Sequence, residues 1–442
     1  MGALLDAVTG YAQSGVSRFH MPGHKGKPLG YLGFGDISAL DVTEVAGMDS
    51  LYTASGVIRE VERGYAQMYG SHDCFLSAGG STLCIQAMLA AALRPGEKLL
   101  ISRGAHAAAV NAMALLDLHP EWILPATHPG MGLSRALSAQ DVAEALKAHP
   151  DMKAVYVTSP TFFGVCADIA GIARVCGEHS LPLLVDNAHG AHLHFFGRHP
   201  IALGADMCCD SLHKTLPVLT GGAILHVGGQ DFAGSAREKM SLFGSTSPSY
   251  LVMSSIDGAL GYMRSGEAAQ GMAWVANTLE RIGQAARGYG YLLPADMGDP
   301  LRLTLCAAGL GYTGEALGEH LRKHKVEPEY AGGGCAVLMA SPLNSEDDFA
   351  RLRGAVEKLP RKEAIALDDI EFVLPQRVMS IRQAVFARRQ TLPVDDAVGR
   401  VAGALVSPCP PGIALVCAGE RIDGHIARLL KKYGISRVSV VE

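Results

Sequence analysis

The sequence is short of charge, of paired cysteine motifs and of long apolar runs, and each shortage excludes a class of protein. Asp, Glu, Lys and Arg make up 18% of the 442 residues, below the usual ~25%. Hydrophobic residues reach 48%, so the chain is not intrinsically disordered, and its large apolar share suits an interior partly completed by another subunit. The 38 basic and 43 acidic residues leave a formal charge of -5, without the basic footprint that sequence-independent nucleic-acid binding needs. The ten cysteines form no Cys-x-x-Cys pair and several sit in apolar runs, which reads as buried reduced thiols and a cytoplasmic location. No run approaches ~18 apolar residues, so no membrane partner is expected. The opening Met1-Gly2-Ala3-Leu4-Leu5-Asp6 has no signal-peptide pattern. Dinucleotide-type Gly-x-Gly-x-x-Gly and Walker-type phosphate loops are both missing, as are internal repeats. Glycine is what the chain has in quantity, 52 residues scattered without period.

At about three times the typical single-domain length of roughly 150 residues, the chain fits one large and one smaller domain. Short apolar runs alternate with helical patterns between residues 70 and 230. The runs include 98–102, 154–157, 183–186, 206–209 and 223–227. Continuous apolar runs are the mark of strands buried on both faces, so an α/β fold with a mainly parallel central sheet flanked by helices is expected. Ser138 and Asp141 read as an N-cap pair opening one helix. The expected division is an N-terminal arm (1–54), a large domain (55–260) and a smaller α+β C-terminal domain (261–442) that includes a bridging helix, itself read as one long element from Ser255 to Arg287.

Three segments carry chemistry. In Asp210-Ser211-Leu212-His213-Lys214-Thr215 a lysine follows an apolar strand. Such a lysine can form a Schiff base if burial and nearby cations release its amine; taken alone, it is an ordinary surface residue. In Leu183-Leu184-Val185-Asp186-Asn187-Ala188-His189, Asp186 closes a strand at the carboxyl end, where α/β sheets place ligands. A carboxylate there can hold a pyridinium proton, or simply cap a helix. His189 and His192 form a lone His-x-x-His without a third ligand, and no metal is expected. Ser77-Ala78-Gly79-Gly80-Ser81-Thr82 follows another strand and opens a helix, an arrangement suited to a phosphate. Together they make a phosphate cradle, a pyridinium carboxylate and a Schiff-base lysine.

With these segments, Phe19-His20-Met21-Pro22-Gly23-His24-Lys25-Gly26, Asp41 to Asp49, Ser245-Thr246-Ser247-Pro248-Ser249-Tyr250 and Pro410-Pro411-Gly412-Ile413 followed by Gly419-Glu420, most of the chain resembles the Orn/Lys/Arg decarboxylases. These are fold-type I (aspartate aminotransferase-like) enzymes of pyridoxal 5'-phosphate. The resemblance implies decarboxylation of arginine, lysine or ornithine to an amine of polyamine biosynthesis. It also implies that Lys214 carries the cofactor, Asp186 pairs with the pyridine nitrogen, and His106 and Ala188 flank the ring. Ser81, Thr82, Ser211 and His213 are implied to hold the phosphate, and Ser245 or Thr246 to reach the phosphate of a neighbouring subunit in a homodimer. His189, with Lys214, is a candidate proton carrier, and Thr161 a candidate near the cofactor hydroxyl. The fold supports other pyridoxal chemistry, and an aminotransferase, aldolase or C–S lyase stays open. The sequence departs from the family at Ala107 and Ala108, Gly221, Cys409, Ala414 and Ala418, which bears on the substrate. For a cationic substrate side chain, Glu44, Asp49 and Glu420 are candidates; for its carboxylate, Arg382.

Overall fold

The computed structural model describes residues 13–20, 23–25, 27, 40–366, 372–408 and 412–442. Met1 to Asp6, Pro22, Gly26, Cys409, Pro410 and Pro411 therefore lie outside the described residues.

A seven-stranded sheet runs in the order Asp73–Ser77, Ala223–Val227, Met207–Asp210, Leu183–Asp186, Ala154–Thr158, Lys98–Ser102, His119–Ile123. Ala223–Val227 is antiparallel to both neighbours, and the other pairings are parallel. Alternate side chains of these strands serve different cores, which is why each run is apolar throughout. Leu100, Val155, Val157, Val185 and Cys208 pack under helices Ala139–Ala148 and Ile169–Glu178. Ile101, Tyr156, Leu184, Cys209 and Leu225 pack under Gly80–Ala92, Ala107–Leu116 and Gln230–Phe243. The expected α/β layering is present, and the Ser138–Asp141 capping box closes as read from the sequence.

The expected long helix from Ser255 is two helices, Tyr250–Arg264 and Glu267–Tyr289. They part at Gly266, whose φ of +79° is the left-handed conformation that glycine adopts without strain. Beyond them a three-stranded antiparallel sheet joins Arg302–Cys306, Cys335–Met339 and Tyr330–Gly332. The described part of the arm adds Ser17–Phe19 as a strand parallel to Val326–Pro328. Residues from 372 onward have their own core of Val394, Ile422, Ile426, Leu430 and Val440. That unit is fastened to the central sheet by Arg103, whose guanidinium donates to both carboxylate oxygens of Glu420 at 2.7 and 2.6 Å and to Ala414 O at 2.8 Å.

Candidate active site

The parallel strands end at one edge of the sheet, and the antiparallel strand begins there. This brings Gly221 beside the turn that follows Ser77: Gly80 N donates to Gly221 O at 2.8 Å. Gly221 has φ +100°, so a side chain at this family departure would be strained. Along the same edge lies a cavity of about 390 Å³ lined by Ser81, His106, Thr161, Asp186, Ala188, His189 and Lys214 among others. Residues as far apart in sequence as Ser81 and Lys214 meet here because each stands just after a strand.

Asp186 is 2% exposed. Its Oδ2 accepts from the Tyr156 hydroxyl at 3.2 Å and its Oδ1 from Ala188 N at 3.1 Å. Burial and the Asp186 charge raise Tyr156 well above the ordinary phenol range, so it stays a donor. Ser211 Oγ donates to Ser81 Oγ at 2.8 Å, joining two of the proposed phosphate hydroxyls, and His213 Nδ1 lies 3.0 Å from Gly222 O. The helix opening at Gly80 has no side-chain cap; the Gly80 amide is taken by Gly221 O, and the amides that follow it in the first turn stay available to an anion. Thr82 is exposed in that first turn. His106 caps the next helix through Nδ1, which accepts from Ala108 N at 3.1 Å; the neighbouring Ala107 also lines the cavity.

Lys214 Nζ is 3.0 Å from His189 Nε2, and Arg302 Nη2 is 3.2 Å from His189 Nδ1. A guanidinium only donates, so Nδ1 accepts. Burial, then the Lys214 and Arg302 charges, push His189 well below the ordinary imidazole range. The ring is thus neutral with its proton on Nε2, and Lys214 Nζ must supply a lone pair. Burial lowers the Lys214 ammonium as well, with Arg302 adding to the effect and Asp186 opposing it. Geometry and charge agree on an amine at Lys214.

Arg302 escaped the sequence reading. It is 2% exposed, donates to Phe162 O at 2.6 Å and lies 3.5 Å from Asp299. Asp299 also holds His192 at 2.6 Å, which gives the His-x-x-His its second histidine a structural partner. A signal existed: Arg302 opens a strand buried at all five positions, where an arginine is costly unless used.

The comparisons accord with this geometry. Residues 3–288 match the family described as "Orn/Lys/Arg decarboxylase, major domain" and residues 367–434 its C-terminal domain. The chain belongs to the Orn/Lys/Arg decarboxylase family. Relatives of this decarboxylase include the arginine decarboxylase of Halalkalibacterium halodurans, 30% identical over 95% of this chain and 90% of the relative. The constitutive lysine decarboxylase of Escherichia coli is 21% identical over 94% and 74%. Among solved structures, Francisella novicida lysine decarboxylase LdcF superposes with a TM-score of 0.78 at 16% identity, covering 98% of this chain and 80% of that one. The E. coli constitutive lysine decarboxylase gives 0.77 at 18% identity, over 100% and 82%.

Within this Orn/Lys/Arg decarboxylase, several candidates are otherwise engaged. Glu420 is consumed by Arg103. Asp49 accepts from the amides of Ser50, Ser55, Gly56 and Ile58 and so fixes the start of helix Val57–Tyr69. Arg382 donates to the carbonyls of Ala114 and Leu115, at the end of a helix, instead of facing the cavity. Thr161 lines the cavity, its Oγ1 accepting from Val165 N at 3.2 Å. Ser245 and Thr246 are exposed and are not among the residues lining their own chain's cavity. Glu44 is exposed and accepts from Ser50 Oγ at 2.6 Å. No helix among the described residues is long and apolar enough to cross a membrane, and their nine cysteines are all free thiols.

Proposed function

We propose that this decarboxylase uses pyridoxal 5'-phosphate to convert arginine or lysine to the corresponding amine and CO2. The observation that carries the reading is the meeting, in one cavity, of a buried carboxylate at Asp186 and a lysine at Lys214 whose charged form burial disfavours. The residues present fit the cofactor: a carboxylate for the ring nitrogen, hydroxyls and unpaired helix amides for the phosphate, and an uncharged amine for the aldehyde. Ser81, Thr82, Ser211 and His213 would hold the phosphate, and His106 and Ala188 would flank the ring. When bound, pyridoxal phosphate supplies the electron sink that decarboxylation of an amino acid requires. Asp186, kept in place by Tyr156 and the Ala188 amide, holds a negative charge against a protonated ring nitrogen. Lys214, uncharged, is able to bond the cofactor and later to accept or return a proton. His189 carries its proton on the nitrogen facing Lys214, so it donates a hydrogen bond to that amine and holds its lone pair in place. Phe162 and Tyr330, T-shaped at 5.8 Å between centroids, form an apolar wall that limits water.

Among the described lining residues the only carboxylate is Asp186, which leaves a basic side chain without a partner in its own chain. We place that partner on a second subunit of a homodimer. Glu44 and Ser245–Thr246 are exposed and joined locally, since Tyr250 donates its hydroxyl to Asp49 O at 2.8 Å. Around them Val42, Val45, Met48 and Leu242 are 37 to 66% exposed, an apolar patch suited to burial by a second copy. A cytoplasmic location accords with the free thiols.

A screen of basic, acidic and aromatic amino acids for CO2 and amine tests the reading. Arginine or lysine is expected to release both in equal amounts; keto acid without CO2 would overturn it. Mixing Lys214→Ala subunits with Ser245→Ala/Thr246→Ala subunits is expected to restore activity at hybrid sites. Failure to restore it, with hybrids present, would remove the shared-site part alone.

A further inference from the structure

On the sheet face opposite Asp186, three potential metal ligands converge, with His226 beside them. We infer that His199, Cys208 and Asp210 form a buried site for a zinc ion, and that His226 helps to hold Asp210 in place. Cys208 and Asp210 are two apart on Met207–Asp210 and share one face, while the intervening Cys209 points to the Asp186 side, its Sγ 3.7 Å from Asp186 Oδ1. His226 is the cross-strand partner of Cys208, and His199 arrives from the turn before Pro200.

The ligand atoms of His199, Cys208 and Asp210 all lie within 4.8 Å of one another, close enough to draw in around one ion. His199 Nε2 lies 3.0 Å from Asp210 Oδ2 and 3.8 Å from Cys208 Sγ, and His226 Nε2 lies 3.4 Å from the same Oδ2. Zinc bonds of about 2.0 Å to nitrogen and oxygen and 2.3 Å to sulfur put tetrahedral ligand atoms roughly 3.3–3.6 Å apart. The three ligands and His226 are all at most 1% exposed.

The surrounding contacts orient the ligands. Asp210 Oδ1 accepts from Asn187 Nδ2 at 2.6 Å, and His226 Nδ1 meets Ser71 Oγ at 2.9 Å. The Tyr69 ring packs on His199 and His226 at 4.6 and 4.7 Å while its hydroxyl donates to Ala191 O. Charge balances too: no lysine or arginine bonds Asp210, whereas one zinc dication with the Asp210 carboxylate and a Cys208 thiolate sums to zero. Binding sends the Cys208 proton to solvent.

The test is metal content of the holoenzyme made in zinc-supplemented medium and dialysed against EDTA. About one zinc per chain is expected, with one sulfur in the zinc-edge absorption spectrum. Cys208→Ala and His199→Gln are each expected to fall at least tenfold in zinc while keeping the cofactor's visible absorbance, since they lie across the sheet from it. Folded wild-type protein without zinc, zinc retained in both variants, or a sulfur-free spectrum would each overturn the assignment. The spectrum decides the question even if the variants do not fold.

Discussion

Replacing Arg302 by methionine isolates the line Arg302–His189–Lys214. Methionine keeps much of the buried volume and removes the donor that fixes His189 Nδ1 as an acceptor. The ring is then free to place its proton on Nδ1 and to accept from a Lys214 ammonium. At the same time Lys214 loses a neighbouring cation that lowers it, so both effects favour the charged lysine. A hydrogen bond from a charged donor contributes about 1.5–3 kcal/mol, which corresponds to roughly 10- to 100-fold in the balance between amine and ammonium. The assay is the second-order rate of pyridoxal phosphate uptake by cofactor-stripped protein as a function of pH. A lysine whose folded pKa is depressed is reactive from that lowered value upward. The acid limb of the wild-type profile therefore sits below ordinary lysine, and in Arg302→Met it is expected to move to higher pH. Arg302→Lys, which keeps a donor and a charge, is expected to move it less. Asp299 retains His192 and the Leu301 amide at 2.9 Å, so the variant should fold. Superimposed wild-type and Arg302→Met profiles, with near-ultraviolet circular dichroism intact, would refute the reasoning.

Other outcomes follow from the same contacts. Asp186→Asn should lower kcat by about 10²-fold or more, the scale of removing one preorganised electrostatic partner, while leaving thermal unfolding nearly unchanged; full activity would sink its assignment. Glu420→Gln or Arg103→Met should each cost about 3–5 kcal/mol in urea unfolding because a buried charge is left alone, and the double variant should cost less than the sum. Lys25 is buried, donates to the carbonyl of Met339, and burial brings it down to about 7. Between that value and ordinary lysine the unfolded chain binds more protons, so stability should rise from pH 7 to 9.5, and the rise should flatten in Lys25→Met. At Gly23 an added Cβ would lie 2.3 Å from Leu216 O; Gly23→Ala should therefore displace the Lys214 turn and weaken cofactor binding, read by equilibrium dialysis.

The central strands were legible because burial on both faces leaves long apolar runs with few polar residues: Lys98–Ser102, Leu183–Asp186 and Ala223–Val227 carry the boundaries read from the sequence. The residues that gather at their ends could be chosen because Asp186 and Ser81 each follow an apolar run. What stayed hidden depends on long-range pairing. Arg302 is distant in sequence from His189, and Glu420 from Arg103, so neither partnership leaves a local pattern. Glu420 looked free for a substrate because its guanidinium partner was out of view. The break at Gly266 was passed over because one glycine inside an apolar periodicity does not announce a left-handed turn.

The Arg103–Glu420 pair also sets an order of events in the life of the chain. Arg103 stands three residues before His106, and its carboxylate lies 317 positions later. A growing chain can lay down every central strand and still hold that guanidinium buried and unpaired, at a cost of several kcal/mol. The loop presenting His106 is therefore bolted down only once the chain has been made through Glu420, so the wall of the cavity is finished by a residue laid down long after it.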